Sequence, residues 1–399
     1  NEPILNYEGN WRDIFQNWEA LAWSYPMYIQ NMCAKFLNAM TIDGFNPYKI
    51  NRKGIDWEIP DPTNPWAQFG YWGDHQVIYF EKLLEFYEKT NSGELMKSLD
   101  EKIYTSANVP YRLKSYGEIE ENPRSTILFD AELNKKLARE SEVKGSDAKL
   151  VQDGNGNPAL VSFTAKVLQI VISKAANLVP GGGIWLNTQR PEWNDANNAL
   201  AGYGLSVVTA CYLYRYLNFL EKLYGNTNLK NVTLPEAIYK CCVELGDLYK
   251  ESIPSLVSMN SKERKLFVQK AGMIYEEERK TLYRKGYIGN EVSIGTVKVQ
   301  EIISEFKKHV EYTIKMNKRE DNLYHSYNTL KITEQGMEVE YLQEMLEGQV
   351  AVLSADLLSF DEVEKLLAAL ENSKMYEPRQ KSFMLYPNKE LPEFCNKTV

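Results

Sequence analysis

The stretch "NTLKITEQGMEVEYL", Asn328 to Leu342, is where the fold class is decided, because strand-like alternation is nearly confined to it. Apolar and polar residues alternate on either side of "EQG", Glu334 to Gly336, which has the composition of a hairpin turn. Most of the remaining chain carries apolar residues at spacings of three and four. That period predicts helices over Trp11 to Trp23, Met27 to Met40, Asp74 to Lys89, Thr164 to Val179 and Leu205 to Tyr224. It predicts three more over Leu234 to Glu251, Ser261 to Lys285 and Thr296 to Lys315. The expectation is therefore an all-α protein with a small β-hairpin near its C-terminus.

Composition excludes several function classes. The chain has 399 residues, 44% hydrophobic and 25% charged, and contains no apolar run long enough to span a bilayer. Its net charge is −8, with Lys and Arg dispersed opposite Glu and Asp, so the electrostatic footprint of a nucleic-acid binder is missing. Neither a nucleic-acid nor a membrane partner is expected. The five cysteines and three histidines lack zinc-ligand spacing, which predicts free thiols, no structural metal and no cofactor. The opening residues "NEPILNYEGNWRD" carry no export signal, and with the cysteine usage this points to the cytoplasm.

Connections between helices alternate between a few residues and long segments. Thr41 to Gly73 and Tyr104 to Asp130 are rich in Pro, Gly, Asn and aromatics, unlike a flexible linker, and long ordered loops usually carry function. Alternation of this kind suits a toroid of antiparallel helix pairs with one trimmed rim and one rim that builds a site. Residues 1–325 would form that helical domain, and residues 326–399 a hairpin and helix packed on it or continuing it.

Three polar clusters interrupt the apolar runs. Arg12, Asp13 and Gln16 open the first helix, where Arg12 and Gln16 share a face and an acid also favours the helix dipole. In "WAQFGYWGDHQVIYF", Trp66 to Phe80, Asp74 and His75 follow Phe69, Tyr71 and Trp72. A carboxyl among aromatics is desolvated toward the range of a general acid, although Asp after Gly is also a common N-cap. The third cluster is "NTQRPEWNDANNAL", Asn187 to Leu200, where Arg190, Glu192, Asn194 and Asp195 surround Trp193. A flat apolar face ringed by directional donors and acceptors suits a sugar, whose C–H faces stack while its hydroxyls bond. Gly181-Gly182-Gly183 lacks the features of a phosphate loop and reads as a helix terminator with a tight approach.

Taken together, the clusters resemble the (α/α)6 six-hairpin glycoside hydrolases and phosphorylases, nearest the cellobiose and chitobiose phosphorylase type. The family's R-D-x-x-Q element is matched by Arg12, Asp13 and Gln16, and Trp193, Asn194 and Asp195 match its sugar-contacting D-W-N-D with Glu192 in place of the first Asp. Asp74 takes the place of the general acid, with His75 where the family has a second acid. The resemblance spans about Gly9 to Leu205, half the chain. It implies an (α/α)6 toroid, a disaccharide or oligosaccharide substrate, and inverting cleavage by water or inorganic phosphate. Asp74 would be the catalytic residue. Arg12, Asp13, Gln16, Trp72, His75, Arg190, Glu192, Trp193, Asn194 and Asp195 would bind substrate. The phosphate cradle of the family has no match after Leu205, and the helices counted fall short of twelve. A non-catalytic glycan-binding or scaffold protein is the alternative.

Overall fold

A computed structural model describes residues 8–46, 49–51, 54–63, 76–188 and 200–387, with backbone alone for 8–13 and Gln76. The long helices are α1 (Trp11–Ser24), α2 (Ile29–Ala39), α3 (Gln76–Thr90), α4 (Ala131–Lys144), α5 (Phe163–Ala175), α6 (Val207–Asn226), α7 (Glu236–Ser252), α8 (Ser261–Lys285) and α9 (Thr296–Met316). Their caps follow from the sequence. Asp130, Ser162, Ser206 and Asn260 each accept a backbone N–H of the first turn that would otherwise lack a partner. Gly286, at φ +59, ends α8.

The expected all-α toroid is overturned. Helix occupies 55% of the described residues and strand 17%, and a curled five-stranded antiparallel sheet makes the fold mixed. Its strands are β1 (Leu178–Val179), β2 (Gly183–Trp185), β3 (Gly204–Ser206), β4 (Tyr327–Ile332) and β5 (Met337–Tyr341), in the order β5-β4-β3-β2-β1. The 328–342 stretch is a hairpin, as its alternation predicts, with Thr333 and Gly336 closing the turn. It is no appendage. Tyr327, Asn328 and Thr329 pair with Ser206, Leu205 and Gly204, and β3 pairs in turn with Trp185 and Ile184 of β2.

The triple glycine belongs to this sheet. Pro180 to Gly182 turn the chain from β1 into β2, and Gly181 and Gly183 have φ of +77 and +132. A Cβ on Gly183 would stand 2.8 Å from the Ser206 backbone, so only glycine lets β2 lie this close to β3.

Helices pack on both sides of α5, all thirteen residues of which are buried. The pairs α6 with α9 and α7 with α8 make the most extensive helix contacts, and α3 joins α1 and α2 to α6. Aromatic rings fill the seams: Phe36 stacks on Phe80 at 4.5 Å, and Tyr249 meets Phe306 edge-on at 4.7 Å. No helix among the described residues is long and apolar enough to cross a membrane.

The tightest helix contact yields a prediction. A Cβ on Gly272, in the middle of α8, would fall 2.0 Å from a ring carbon of Tyr116, which is itself buried. Gly272→Ala is expected to cost about 1 to 3 kcal/mol in urea denaturation through overpacking. Helix propensity alone would instead stabilise the variant by about 1 kcal/mol, so a gain would show the contact to be slack.

Candidate functional site

Polar side chains run the length of α5 although that helix has no solvent face. Lys166, Gln169, Ser173 and Lys174, followed by Asn177 just beyond it, recur at helical spacing and so share one stripe. Each is tied into the structure. Lys166 donates to the Ser106 hydroxyl, which is bonded at 2.7 Å to Tyr287, and Tyr287 donates at 3.1 Å to the side-chain oxygen Oε1 of Gln169. The Gln169 amide donates to the Ile42 carbonyl. Ser173 donates to the carbonyls of Ile170 at 2.9 Å and Gly44 at 3.3 Å.

The stripe grips the Thr41–Asn46 turn. Thr41 Oγ1 donates to Asp43 Oδ1 at 2.5 Å and accepts the Phe45 N–H at 2.9 Å. From α8, Tyr283 donates to Asp43 Oδ2 and Tyr275 to the Asp43 carbonyl. Gly44 has φ +91, and a Cβ there would lie 2.5 Å from the Gln169 carbonyl oxygen. Asp43 is therefore a buried carboxyl group whose two oxygens and backbone are positioned by three hydroxyls.

Below this turn lies Glu278, 4% exposed. Burial pushes its carboxyl up to about 8; the Cys241 thiol opposes this, the charge of Asp43 adds to it, and the Arg279 guanidinium opposes it. Burial likewise drives Lys166 well below the usual lysine range.

At the C-terminal end of α5 the stripe borders a small hollow of about 20 Å³, room for about one water, lined by Phe45 and Trp185 as rings and by Ser173, Lys174, Asn177, Asn187, Thr188 and Thr209 as polar groups. Asn187 Nδ2 donates to Asn177 Oδ1 at 2.8 Å, and Asn177 Nδ2 donates to the Ser173 carbonyl at 2.8 Å. The Lys174 ammonium lies 4.8 Å from the centre of the Phe45 ring. Trp185 is fixed by a 2.8 Å bond from its indole N–H to the Gly202 carbonyl. Thr188 is the last described residue before the tryptophan-centred cluster in the sequence.

Of the residues singled out from sequence, Gln16 is exposed on α1, and Arg12 and Asp13 lie in its first turn with side chains outside the described set. Trp72, Asp74 and His75 precede the first described residue of α3, and Arg190, Glu192, Trp193, Asn194 and Asp195 fall within 189–199; all eight lie outside the described residues. Sequence reasoning missed Asp43 and the α5 stripe. Their signal is present: four polar residues at helical spacing inside "TAKVLQIVISKAANLV" mark a buried helix that must find internal partners.

Cys33, Cys211, Cys241 and Cys242 are buried free thiols. Among the described residues no group of three or more His, Cys, Asp or Glu could hold a metal ion. No protein-family model matches the chain, and no curated protein matches it.

The protonated carboxyl of Glu278 predicts a pH dependence. Its folded value lies above the ordinary one, so its contribution to stability is present below about 4.5 and is lost as pH rises through about 8. Glu278→Gln keeps the shape and removes the ionisation. Urea denaturation at several pH values between 5 and 9 should show wild type losing stability relative to Glu278→Gln across that window. Parallel curves for the two proteins would place an ionised carboxylate at Glu278 instead.

Proposed function

We propose that this protein binds a carbohydrate at the tryptophan-centred cluster that follows Asn187 in the chain and cleaves a glycosidic bond with inversion, by hydrolysis or phosphorolysis. The observation that carries the reading is the sequence around Trp193, a flat apolar side chain followed and preceded by Arg190, Glu192, Asn194 and Asp195, which the chain enters from the hydrogen-bonded amides Asn177 and Asn187. Rings stack on the C–H face of a pyranose, and amides bond its hydroxyl edge. The order of the three sequence motifs adds support; a toroid does not.

In this reading Asp74 protonates the leaving oxygen, and Trp72, His75, Arg190, Glu192, Trp193, Asn194 and Asp195 hold the ring together with Arg12, Asp13 and Gln16. Hydrolysis further requires a carboxylate about 6.5 to 9.5 Å from the acid to activate water, whereas phosphate needs no such base. A second reading, non-catalytic glycan binding, draws on one feature: His75 stands where the resembled family has a second acid.

Release of reducing sugar or sugar phosphate from a panel of disaccharides and oligosaccharides, with and without inorganic phosphate, separates these readings. Turnover dependent on phosphate is phosphorolysis, turnover without it is hydrolysis, and binding without turnover leaves the second reading. If turnover is found, Asp74→Asn should lower kcat by about 10² to 10⁴ on poor leaving groups and less on activated ones. Trp193→Ala should weaken ligand binding by about 1 to 3 kcal/mol with little change in Tm. A large fall in Tm with unchanged affinity would make Trp193 a packing residue.

A further inference from the structure

The C-terminal end of α8 gathers an excess of positive charge. Near its start, Arg264 donates to the Pro180 carbonyl at 2.9 Å, beside the β1–β2 turn. About 32 Å further along the axis, α8 ends in Arg284 and Lys285. Two adjoining grooves of about 270 and 410 Å³ meet there and share Leu282, Arg284, Lys285, Gly286 and Ile288 as a common wall.

Five cations line the two grooves: Arg284 and Lys285 from α8, Lys240 from α7, Lys136 from α4, and Arg112 from the strand Tyr111–Leu113. Two acids share the lining. Glu236 pairs with Lys240 at 2.6 Å, and Glu140 approaches Lys136 at 3.9 Å. The charges of Arg112, Arg284 and Lys285 then have no acid left to match them among the described lining residues. Arg112 is held in place, donating to the carbonyls of Val109 and Tyr111 at 2.6 and 2.8 Å with its guanidinium 4.7 Å from the Tyr283 ring centre.

The helix dipole accounts for cations at 284 and 285, where each gains about 0.3 to 1 kcal/mol. It does not account for Arg112, Lys136 and Lys240, which three other elements bring to the same grooves. Nor does the overall charge of −8, which would favour the reverse sign on an arbitrary surface. We propose that these joined grooves bind a multivalent anion, with two or more phosphate, sulfate or carboxylate groups. Tyr283 and Tyr287 supply flat walls for the uncharged part of such a ligand.

Isothermal titration with tripolyphosphate, a sulfated hexasaccharide and a neutral hexasaccharide tests this, at about 25 mM and about 300 mM salt, where screening differs several-fold. The decisive variant is Arg284→Gln with Lys285→Gln; both side chains are exposed, and an unchanged Tm verifies the fold. Lys280→Gln, an exposed lysine earlier on α8 that pairs with Glu276 and Glu277, is the control. At least one anion should bind at low salt, weaken about tenfold or more in the double variant and at high salt, and be unaffected by the control. Binding of tripolyphosphate alone identifies a phosphorylated ligand, and binding of the sulfated sugar alone an acidic glycan. No binding of either anion, binding that survives the double substitution, or equal weakening in the control overturns the proposal. Since the neutral sugar reports on the carbohydrate reading, failure here is distinct from failure of that reading.

Discussion

Burial of α5 on every side is the constraint on which the rest of this structure depends. A helix with a solvent face can point its lysines and glutamines outward; α5 cannot, so Lys166, Gln169, Ser173 and Lys174 must be met by groups from elsewhere in the chain. Those groups come from the turn after α2, from Ser106 and from Tyr287 just beyond α8. An unpaired polar group at this depth costs about 1 to 3 kcal/mol. The partners therefore fix which elements surround α5 and in what register. The Thr41–Asn46 turn is shaped by that demand: Gln169 and Ser173 claim the Ile42 and Gly44 carbonyls, and that proximity is what excludes a side chain at Gly44.

The sheet does for the ends of the helices what loops do in an all-helical bundle. β1 follows α5 after two residues, β3 leads directly into α6, and β4 follows α9 after a short crossing. Each strand thus connects to a helix that packs on the core, and pairing of β2, β3 and β4 ties three helix ends together. Asn317, just past α9, strengthens the junction by donating to the Gly181 carbonyl at 3.2 Å and accepting from Asn328 at 2.7 Å. The hollow sits where this junction meets the end of α5, so its walls belong to the most cross-linked part of the chain.

The helices were legible because each is long enough to repeat its period three times or more. Ser261 to Lys285 coincides with α8, and other predicted ends fall within a few residues of those observed. The sheet was not legible. β1, β2 and β3 have two or three residues each, too few to alternate, and they are buried on both faces, so Leu178-Val179 reads as the continuation of α5. Only β4 and β5, with one face toward solvent, alternate enough to be seen, and in isolation they look like an appendage. Ala131–Lys144 was missed for the opposite reason: it buries a single residue, Leu137, and its sequence is nearly all polar. Site residues divide in the same way. A dense polar stretch such as 187–200 announces itself, whereas Asp43 is one acid in a long loop and, beyond its neighbour Thr41, gains its setting from Tyr275 and Tyr283, more than 230 residues away.

The junction of α3 with α6 shows how far burial can override the ordinary state of an ionisable group. Glu81 and Glu85 lie one turn apart on α3 and converge on Arg215 of α6, whose Nε stands 2.9 Å from a Glu81 oxygen and 3.0 Å from a Glu85 oxygen. Two carboxylates facing one guanidinium would leave an excess negative charge, and Glu81 has no exposure through which water could stabilise it. Lys82 does not restore the balance, since it pairs with Glu19 at 3.1 Å. A proton does. Burial, with Glu85 beside it, pushes Glu81 up to about 9. Burial also works against ionisation of Glu85, but the bonds from Arg215 and Glu81 outweigh it and hold Glu85 below the usual range. The pair thus carries one proton and one charge, and Arg215 neutralises that charge while also donating to the Ser354 carbonyl at 3.3 Å. Here, as around Glu278, the interior keeps its acids by protonating them, which leaves Arg215 matched by one net charge and able to join α3, α6 and the helix Leu346–Ser354.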